Sequence, residues 1–184
     1  NGAFELGIAA ITVHGRTVTQ RYVGPSKWQF LKEFKQHVGD KIILGSGDLF
    51  TAQDCLDMLE QTGVDGVTVA RGAIGNPWIF QQARALAAGL PLPEPPSLRE
   101  QREVMLEHYH LAESLYGESR VGKLMRKFGI KYSILHPEHD SVRSAFVKIR
   151  SREDWESVLA KFYDSDLPGC HPDGRMHKAQ GSCA

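Results

Sequence analysis

"KIILGSGDLFTAQDCLDMLEQTG", residues 41–63, decides the fold. Residues 41–46 form a short, β-branched, nearly continuous apolar run, the pattern of a strand buried on both faces of a parallel sheet. The run ends in a glycine turn, "GSGD" (45–48), and a helix opens at Thr51. Asp54, three residues on, completes the capping-box spacing, in which two side chains satisfy backbone N–H groups left over at a helix start. Gly63 closes the helix, since a left-handed backbone costs glycine little. The unit is one strand followed by one helix.

The same unit stands on both sides. "IAAITV" (8–13) precedes it, with a helix expected to open at Ser26, Gln29 in the capping position, and to end at Gly39. "GVTVAR" (66–71) follows, with a helix expected from "GNPW", where Asn76 can cap and Pro77 suits the first helical position, ending at Gly89. Strand and helix alternating in this way require a parallel sheet, in a doubly wound fold or a (β/α)8 barrel. A whole barrel takes about 250 residues, so three units would be its last part only. The opening "NGAFELG" (1–7) carries no initiator methionine and reads as the last turn of a helix running into a strand. The chain is therefore expected to begin inside a domain.

After Gly89 comes "LPLPEPPS" (90–97), a stiff, extended, proline-rich linker. Ser97 with Glu100 makes a further capping box, and Leu98, Met105, Tyr109, Ala112 and Leu115 follow at helical spacings. A second helix is expected from about Arg120 to Ser133, and a last one from Ser151, with Asp154 three on, to Tyr163. The expected fold class is α/β, the carboxy-terminal part of a (β/α)8 TIM barrel followed by a small all-α domain. Its divisions are residues 1–89 for the partial barrel, 90–97 for the linker, 98–163 for the helical domain and 164–184 for a disordered tail, glycine-rich and polar beyond Pro168.

Of the 184 residues, 41% are apolar and 24% charged, the balance of an ordinary globular protein. Basic and acidic residues are equal at 22 each, so nucleic-acid binding would need local clustering of charge. Cys55, Cys170 and Cys183 have no zinc spacing, no metal is expected, and three cysteines do not suit a secreted disulfide framework. A reducing cytoplasm fits. No apolar run of ~18 residues and no basic-then-apolar leader is present, so neither a membrane span nor a signal peptide is expected.

Ligands of parallel βα folds bind beyond the carboxyl ends of the strands. Those ends carry "HGRT" (14–17), "GSGD" (45–48) and "ARGAIGNP" (70–77). Glycines let the backbone approach a phosphate and turn N–H groups toward it, a helix start adds the positive end of its dipole, and Arg71 offers charge-assisted hydrogen bonds. Taken singly, each has a plainer explanation: Asp48 bonding to local backbone, Arg71 in a surface ion pair, His14 satisfied at a strand end. Their occurrence at three consecutive strand ends favours a binding site. Cys55 shares a helix side with Ala52, Leu56 and Leu59 and is expected in the core. Cys170 and Cys183 lack a basic setting that would activate them.

Between Arg120 and Lys131 lie five basic residues, Arg120, Lys123, Arg126, Lys127 and Lys131, and no acidic one. At 100° per residue, all but Arg126 fall within an arc of about 80°. Val121, Leu124, Met125, Phe128 and Tyr132 take the adjoining face. A solvated helix face is the plain explanation. Arg143, Lys148, Arg150 and Arg152 add a second basic segment and tip the balance toward a phosphate backbone.

"AAITVHGRT" (9–17), "GSGD", "GVTVARGAIGNPWIF" (66–80) and "LMRKF" (124–128) resemble the carboxy-terminal half of bacterial dihydrouridine synthases, flavoenzymes that reduce uridines in transfer RNA. The resemblance runs from about Gly7 to Tyr163. It implies an FMN-binding barrel with a helical RNA-binding domain, and tRNA as partner. His14 would lie near the flavin after the sixth strand, with Arg16 toward the substrate. Ser46, Gly47 and Asp48 would contact FMN, serine standing where the family usually has asparagine. Ala70, Arg71 and Gly72 would hold its phosphate. Arg120, Lys123, Arg126, Lys127 and Lys131 would contact RNA.

The implied chemistry is reduction of FMN by NADPH, hydride transfer to the uracil ring and protonation by a cysteine acid. That cysteine, like a lysine on the flavin, belongs to the amino-terminal half of the barrel, so no catalytic residue is assigned here and the isolated chain is expected to be inactive. Two other readings stay open: a non-catalytic RNA-binding remnant working through residues 97–163, and another phosphate-binding barrel enzyme. The target uridine and the oligomeric state are not legible.

Overall fold

The computed structural model describes residues 2–20 and 23–173 and divides into two compact units. Of the described residues, the first comprises 2–20, 23–73, 79–92 and 173, the second 74–78 and 93–172.

In the first unit a single turn, α1 (Gly2–Glu5), leads into β1 (Ala10–His14), α2 (Trp28–Val38), β2 (Ile42–Ser46), α3 (Ala52–Thr62), β3 (Gly66–Val67) and α4 (Ile79–Ala87). The strands form one parallel sheet in the order β1-β2-β3. Its register pairs His14 with Ser46, so the first two strands end side by side. Leu31, Ile43, Cys55, Met58 and Ile79 are buried between sheet and helices. Gly45 faces this core with its α-carbon against Met58 and Val64, where a side chain would collide.

Two expectations about the strands are corrected. The strands are covered on one face, not two: β1 alternates exposed and half-buried residues, and Ile42 is 49% exposed, because no layer covers the opposite face among the described residues. β3 keeps two ladder residues of the six expected; Thr68 still donates its N–H to the Gly45 carbonyl at 2.8 Å, and the chain then turns into a 3₁₀ segment, Arg71–Ala73. Gly72 packs so closely on the Leu49 and Phe50 backbone that no side chain would fit.

The helix starts differ too. The Thr51–Asp54 capping box forms as expected, but α2 begins at Trp28 behind an N-cap, Lys27, with no side-chain hydrogen bond. Ser26 is drawn away, its N–H donating to Asp48 Oδ2 at 2.7 Å. The last helix of this unit begins at Ile79 and not at Pro77, and Asn76 is fully buried.

The second unit carries α5 (Leu98–Tyr116), α6 (Glu118–Tyr132), a 3₁₀ turn (Ser133–Leu135), α7 (His139–Val147) and α8 (Arg152–Phe162). The boxes Ser97–Glu100 and Ser151–Asp154 both form. Met105, Tyr109, Val121, Met125, Phe146 and Trp155 fill its core, with the Trp155 ring 5.3 Å from Tyr109 and 5.0 Å from Phe146. Gly129 lets the Phe146 ring lie directly on α6. Leu115, expected on the apolar side of α5, is 77% exposed.

Residues 164–173, expected within a disordered tail, carry backbone hydrogen bonds instead: Leu98 N–H donates to the Leu167 carbonyl at 2.9 Å, and Cys170 N–H to that of Leu135 at 2.8 Å. The rest of that expected tail, 174–184 with Cys183, lies outside the described residues. Among the described residues no helix is long and apolar enough to cross a membrane.

Candidate functional site

The parallel register brings the carboxyl ends of the strands together, and the loops leaving them enclose a cleft of about 30 Å³ lined by His14, Ser46, Gly47, Asp48, Thr68, Ala70 and Arg71, with Leu49 and Phe50 behind. The first two loops are joined directly: His14 Nδ1 lies 3.3 Å from Ser46 Oγ. Gly47 takes φ 129°, outside the range of most side chains, with its α-carbon against Ser26. Trp28 fixes the same turn by donating its indole N–H to the Gly47 carbonyl at 3.0 Å.

Asp48 is the hub. Its backbone is left-handed, φ 57°, a conformation aspartate tolerates better than most residues. Oδ2 accepts from Ser26 N–H at 2.7 Å and from Arg16 Nη2 at 2.8 Å, while Oδ1 accepts from Arg71 Nη2 at 3.0 Å. Arg16 also donates to the Gly24 carbonyl at 2.6 Å, and its side chain is only 7% exposed. Arg71 is 37% exposed, with its guanidinium carbon 5.2 Å from the Phe50 ring centre. Two guanidinium groups thus meet one carboxylate at the cleft.

Of the residues expected to bind a cofactor, His14, Ser46, Gly47, Asp48, Ala70 and Arg71 meet in this cleft. Gly72 does not line it and is buried against the chain behind. Arg16 is held inward by Asp48 and Gly24. Phe50, Thr68 and Ser26 belong to the site and carry no sequence signal, since each is recruited by residues distant in the chain.

Cys55 is buried in α3, with Sγ 3.5 Å from the Thr51 carbonyl. Burial, with a smaller push from the neighbouring Asp54 carboxylate, raises its thiol to about 11. It is a core residue.

In the second unit, Arg120, Lys123, Arg126 and Lys127 are exposed on α6 and Lys131 is half-buried. Val121, Met125 and Tyr132 are buried on the adjoining face, so the two faces fall where the helical spacing sets them. Arg152 is engaged otherwise: it pairs with Glu113 at 3.1 Å and Glu156 at 2.8 Å, joining α8 to α5.

A family model described as dihydrouridine synthase (Dus) matches residues 2–165. The chain belongs to the dihydrouridine synthase family. Among relatives, the chain is 34% identical over 162 residues to a protein of Mycobacterium tuberculosis (strain ATCC 25618 / H37Rv) named as a probable tRNA-dihydrouridine synthase, covering 88% of this chain and 41% of that protein. It is 33% identical over 171 residues to tRNA-dihydrouridine synthase B of Xanthomonas campestris pv. campestris, covering 92% of this chain and 51% of the relative. A third, from Rickettsia bellii (strain RML369-C) and also named as a probable tRNA-dihydrouridine synthase, is 35% identical over 86% of this chain and 48% of its own length. The chain thus spans about half the length of the relatives it matches, or less.

Proposed function

We propose that this chain supplies the flavin-phosphate side of an FMN-dependent tRNA-dihydrouridine synthase that takes its electrons from NADPH, with its helical residues 98–163 contacting the RNA. The observation that carries the reading is the meeting of three successive strand-end segments in one cleft where two arginines converge on one carboxylate, in a chain matched by the dihydrouridine synthase family model over residues 2–165.

The residues present suit the phosphate end of FMN. A volume of about 30 Å³ accommodates one or two water molecules and not a flavin ring, so the cleft fits a small anionic group whose larger remainder extends outside. Arg71 is partly exposed at its rim, Ser46 and Thr68 line it, and Gly47 permits close backbone approach. FMN, when bound, supplies the hydride chemistry. The chain's own contribution is positional: Arg71 and the Gly47 turn hold the anion, and the His14–Ser46 pair sets the edge of the cleft nearest β1. Reduction of uridine is assigned to the assembled enzyme, including the part of the relatives' length that this chain does not span.

The three parallel strands with their helices support a partial (β/α)8 barrel over residues 1–89, with 90–97 as linker. The exposed cationic face of α6 supports tRNA as partner, its charges neutralising phosphates while the buried face anchors the helix.

The test is flavin content, by absorbance and fluorescence, of this chain co-produced with the amino-terminal part of a relative such as the Xanthomonas synthase B. Bound FMN that is lost on Arg71→Ala is the expected result. A well-folded but colourless assembly would overturn the flavin assignment and leave the basic helical unit as an RNA-binding module.

A further inference from the structure

Arg16 lies in the "HGRT" segment at the mouth of a cleft read as a phosphate cradle, yet its side chain is 7% exposed and is turned onto Asp48 and the Gly24 carbonyl. An arginine that recognises a ligand directly keeps its fork toward that ligand. This one spends its Nη2 group inside the protein, and its Nε–H is buried without a hydrogen-bond partner. Arg71, in contrast, sits at the rim, 37% exposed, and meets the other oxygen of the same carboxylate at 3.0 Å. We propose that Arg16 is a positioning residue: it acts on the anion-binding Arg71 through Asp48, holding that carboxylate in place and cancelling its charge.

The physical need follows from the geometry. Asp48 is 17% exposed and stands in the wall of the cleft, where an unbalanced carboxylate would repel any phosphate. It is nonetheless useful, because Oδ1 orients the Arg71 guanidinium while the Phe50 ring supports it from one side. Arg16 reconciles the two demands. By occupying Oδ2 together with the Ser26 N–H, it leaves Oδ1 for Arg71 and offsets the charge of the carboxylate. The left-handed backbone of Asp48 is what aims both carboxylate oxygens at partners from two other loops, Arg16 after β1 and Arg71 after β3. Without Arg16 the remaining pair, Asp48 and Arg71, is neutral, and Arg71 is drawn toward the carboxylate in place of the anion.

The inference rests on the phosphate-cradle reading above, and the experiment separates the two. The full chain, its Arg16→Met variant and the double variant Arg16→Met with Asp48→Asn are titrated calorimetrically with inorganic phosphate and with FMN, folding being checked by circular dichroism. Arg16→Met is expected to weaken phosphate binding by about tenfold, the scale of one hydrogen bond to a charged group. Replacing Asp48 by asparagine in that background removes the uncompensated charge while leaving an amide oxygen for Arg71, and restores affinity to within about threefold of the original. If the original chain binds and Arg16→Met binds equally well, the relay is wrong. If the single variant is weak and the double variant stays weak, Arg16 touches the ligand or serves the fold alone, and the relay is again wrong. Should Arg16→Met fail to fold, the double variant decides: near-original affinity supports the relay, loss of binding overturns it. An original chain that binds neither phosphate nor FMN overturns the cradle reading itself, and this inference with it.

Discussion

Gly75 lies with its α-carbon against the peptide that joins Lys131 to Tyr132 at the end of α6, so close that a β-carbon there would fall 2.6 Å from the Lys131 carbonyl oxygen. The contact ties the segment 74–78 to the helix that carries the basic stripe, and it is backbone against backbone. Gly75 also takes φ 82°, where L side chains are strained. Gly75→Ala is therefore expected to cost about 3 kcal/mol, combining steric overlap with left-handed strain. The urea midpoint checks this, and an unchanged midpoint would refute the packing.

Two capping boxes that look alike in sequence differ in the structure, and a paired substitution tells them apart. Thr51 accepts from Asp54 N–H at 3.1 Å, so Thr51→Ala should destabilise the chain by about 1 kcal/mol. Ser26 caps nothing; its hydroxyl is buried against Gly15 and Gly47 without a hydrogen-bond partner. Ser26→Ala should leave stability within about 0.5 kcal/mol of the original, since removing an unsatisfied buried hydroxyl is not costly.

That contrast shows where sequence reading stops. The strand-helix alternation, the three formed capping boxes and the buried side of α3 are local signals, written within a few residues of each other, and they are legible. The meeting of His14, Ser46 and Arg71 follows from parallel pairing of strands and is legible as well. Asp48 as hub is not, because its partners lie 22, 23 and 32 residues away and nothing near any of them announces the bond. α7 escaped notice for a different reason: only Val142 and Phe146 are buried in it, and Glu138 makes no side-chain cap. Val142, Ala145 and Phe146 stand at helical spacing, but one such triplet without a cap is too short a pattern to mark a helix.

Burial in α5 lowers the pKa of His108 below its ordinary 6.5; the ring sits edge-on to Phe128 at 4.7 Å with Nδ1 3.3 Å from the Tyr132 hydroxyl. The folded state therefore resists a proton that the unfolded chain accepts. Stability is unaffected above about pH 7 and falls as pH drops through 6.5 toward the depressed folded value, where the loss is complete. Urea midpoints at pH 7.5 and 5.5 should fall more steeply for the original chain than for His108→Gln. Equal slopes would show that His108 titrates alike in both states.

With its thiol raised to about 11, Cys55 holds almost no thiolate at pH 8 and is also shielded by the helices around it. Iodoacetamide applied to the native chain at that pH should spare Cys55 and modify the half-exposed Cys170, as read by peptide mass spectrometry. Rapid labelling of Cys55 would mean that α3 opens readily from the sheet.

The α6 face makes a quantitative claim about RNA. Arg120, Lys123 and Lys127 are exposed within one arc, while their apolar neighbours Val121 and Met125 are fully buried and hold the helix in its orientation. Exposed cations of this kind act through counterion release, each phosphate contact contributing close to one unit to the slope of log affinity against log salt. Lys123→Ala and Lys127→Ala should each weaken binding of tRNA by the co-produced assembly and reduce that slope by about one, with little change among tRNA species. Fluorescence anisotropy over a range of potassium chloride concentrations gives both quantities. A loss of affinity with the slope intact would mean that these lysines support the helix and do not meet phosphates, and a slope unchanged by both substitutions would move the RNA contact off α6 altogether.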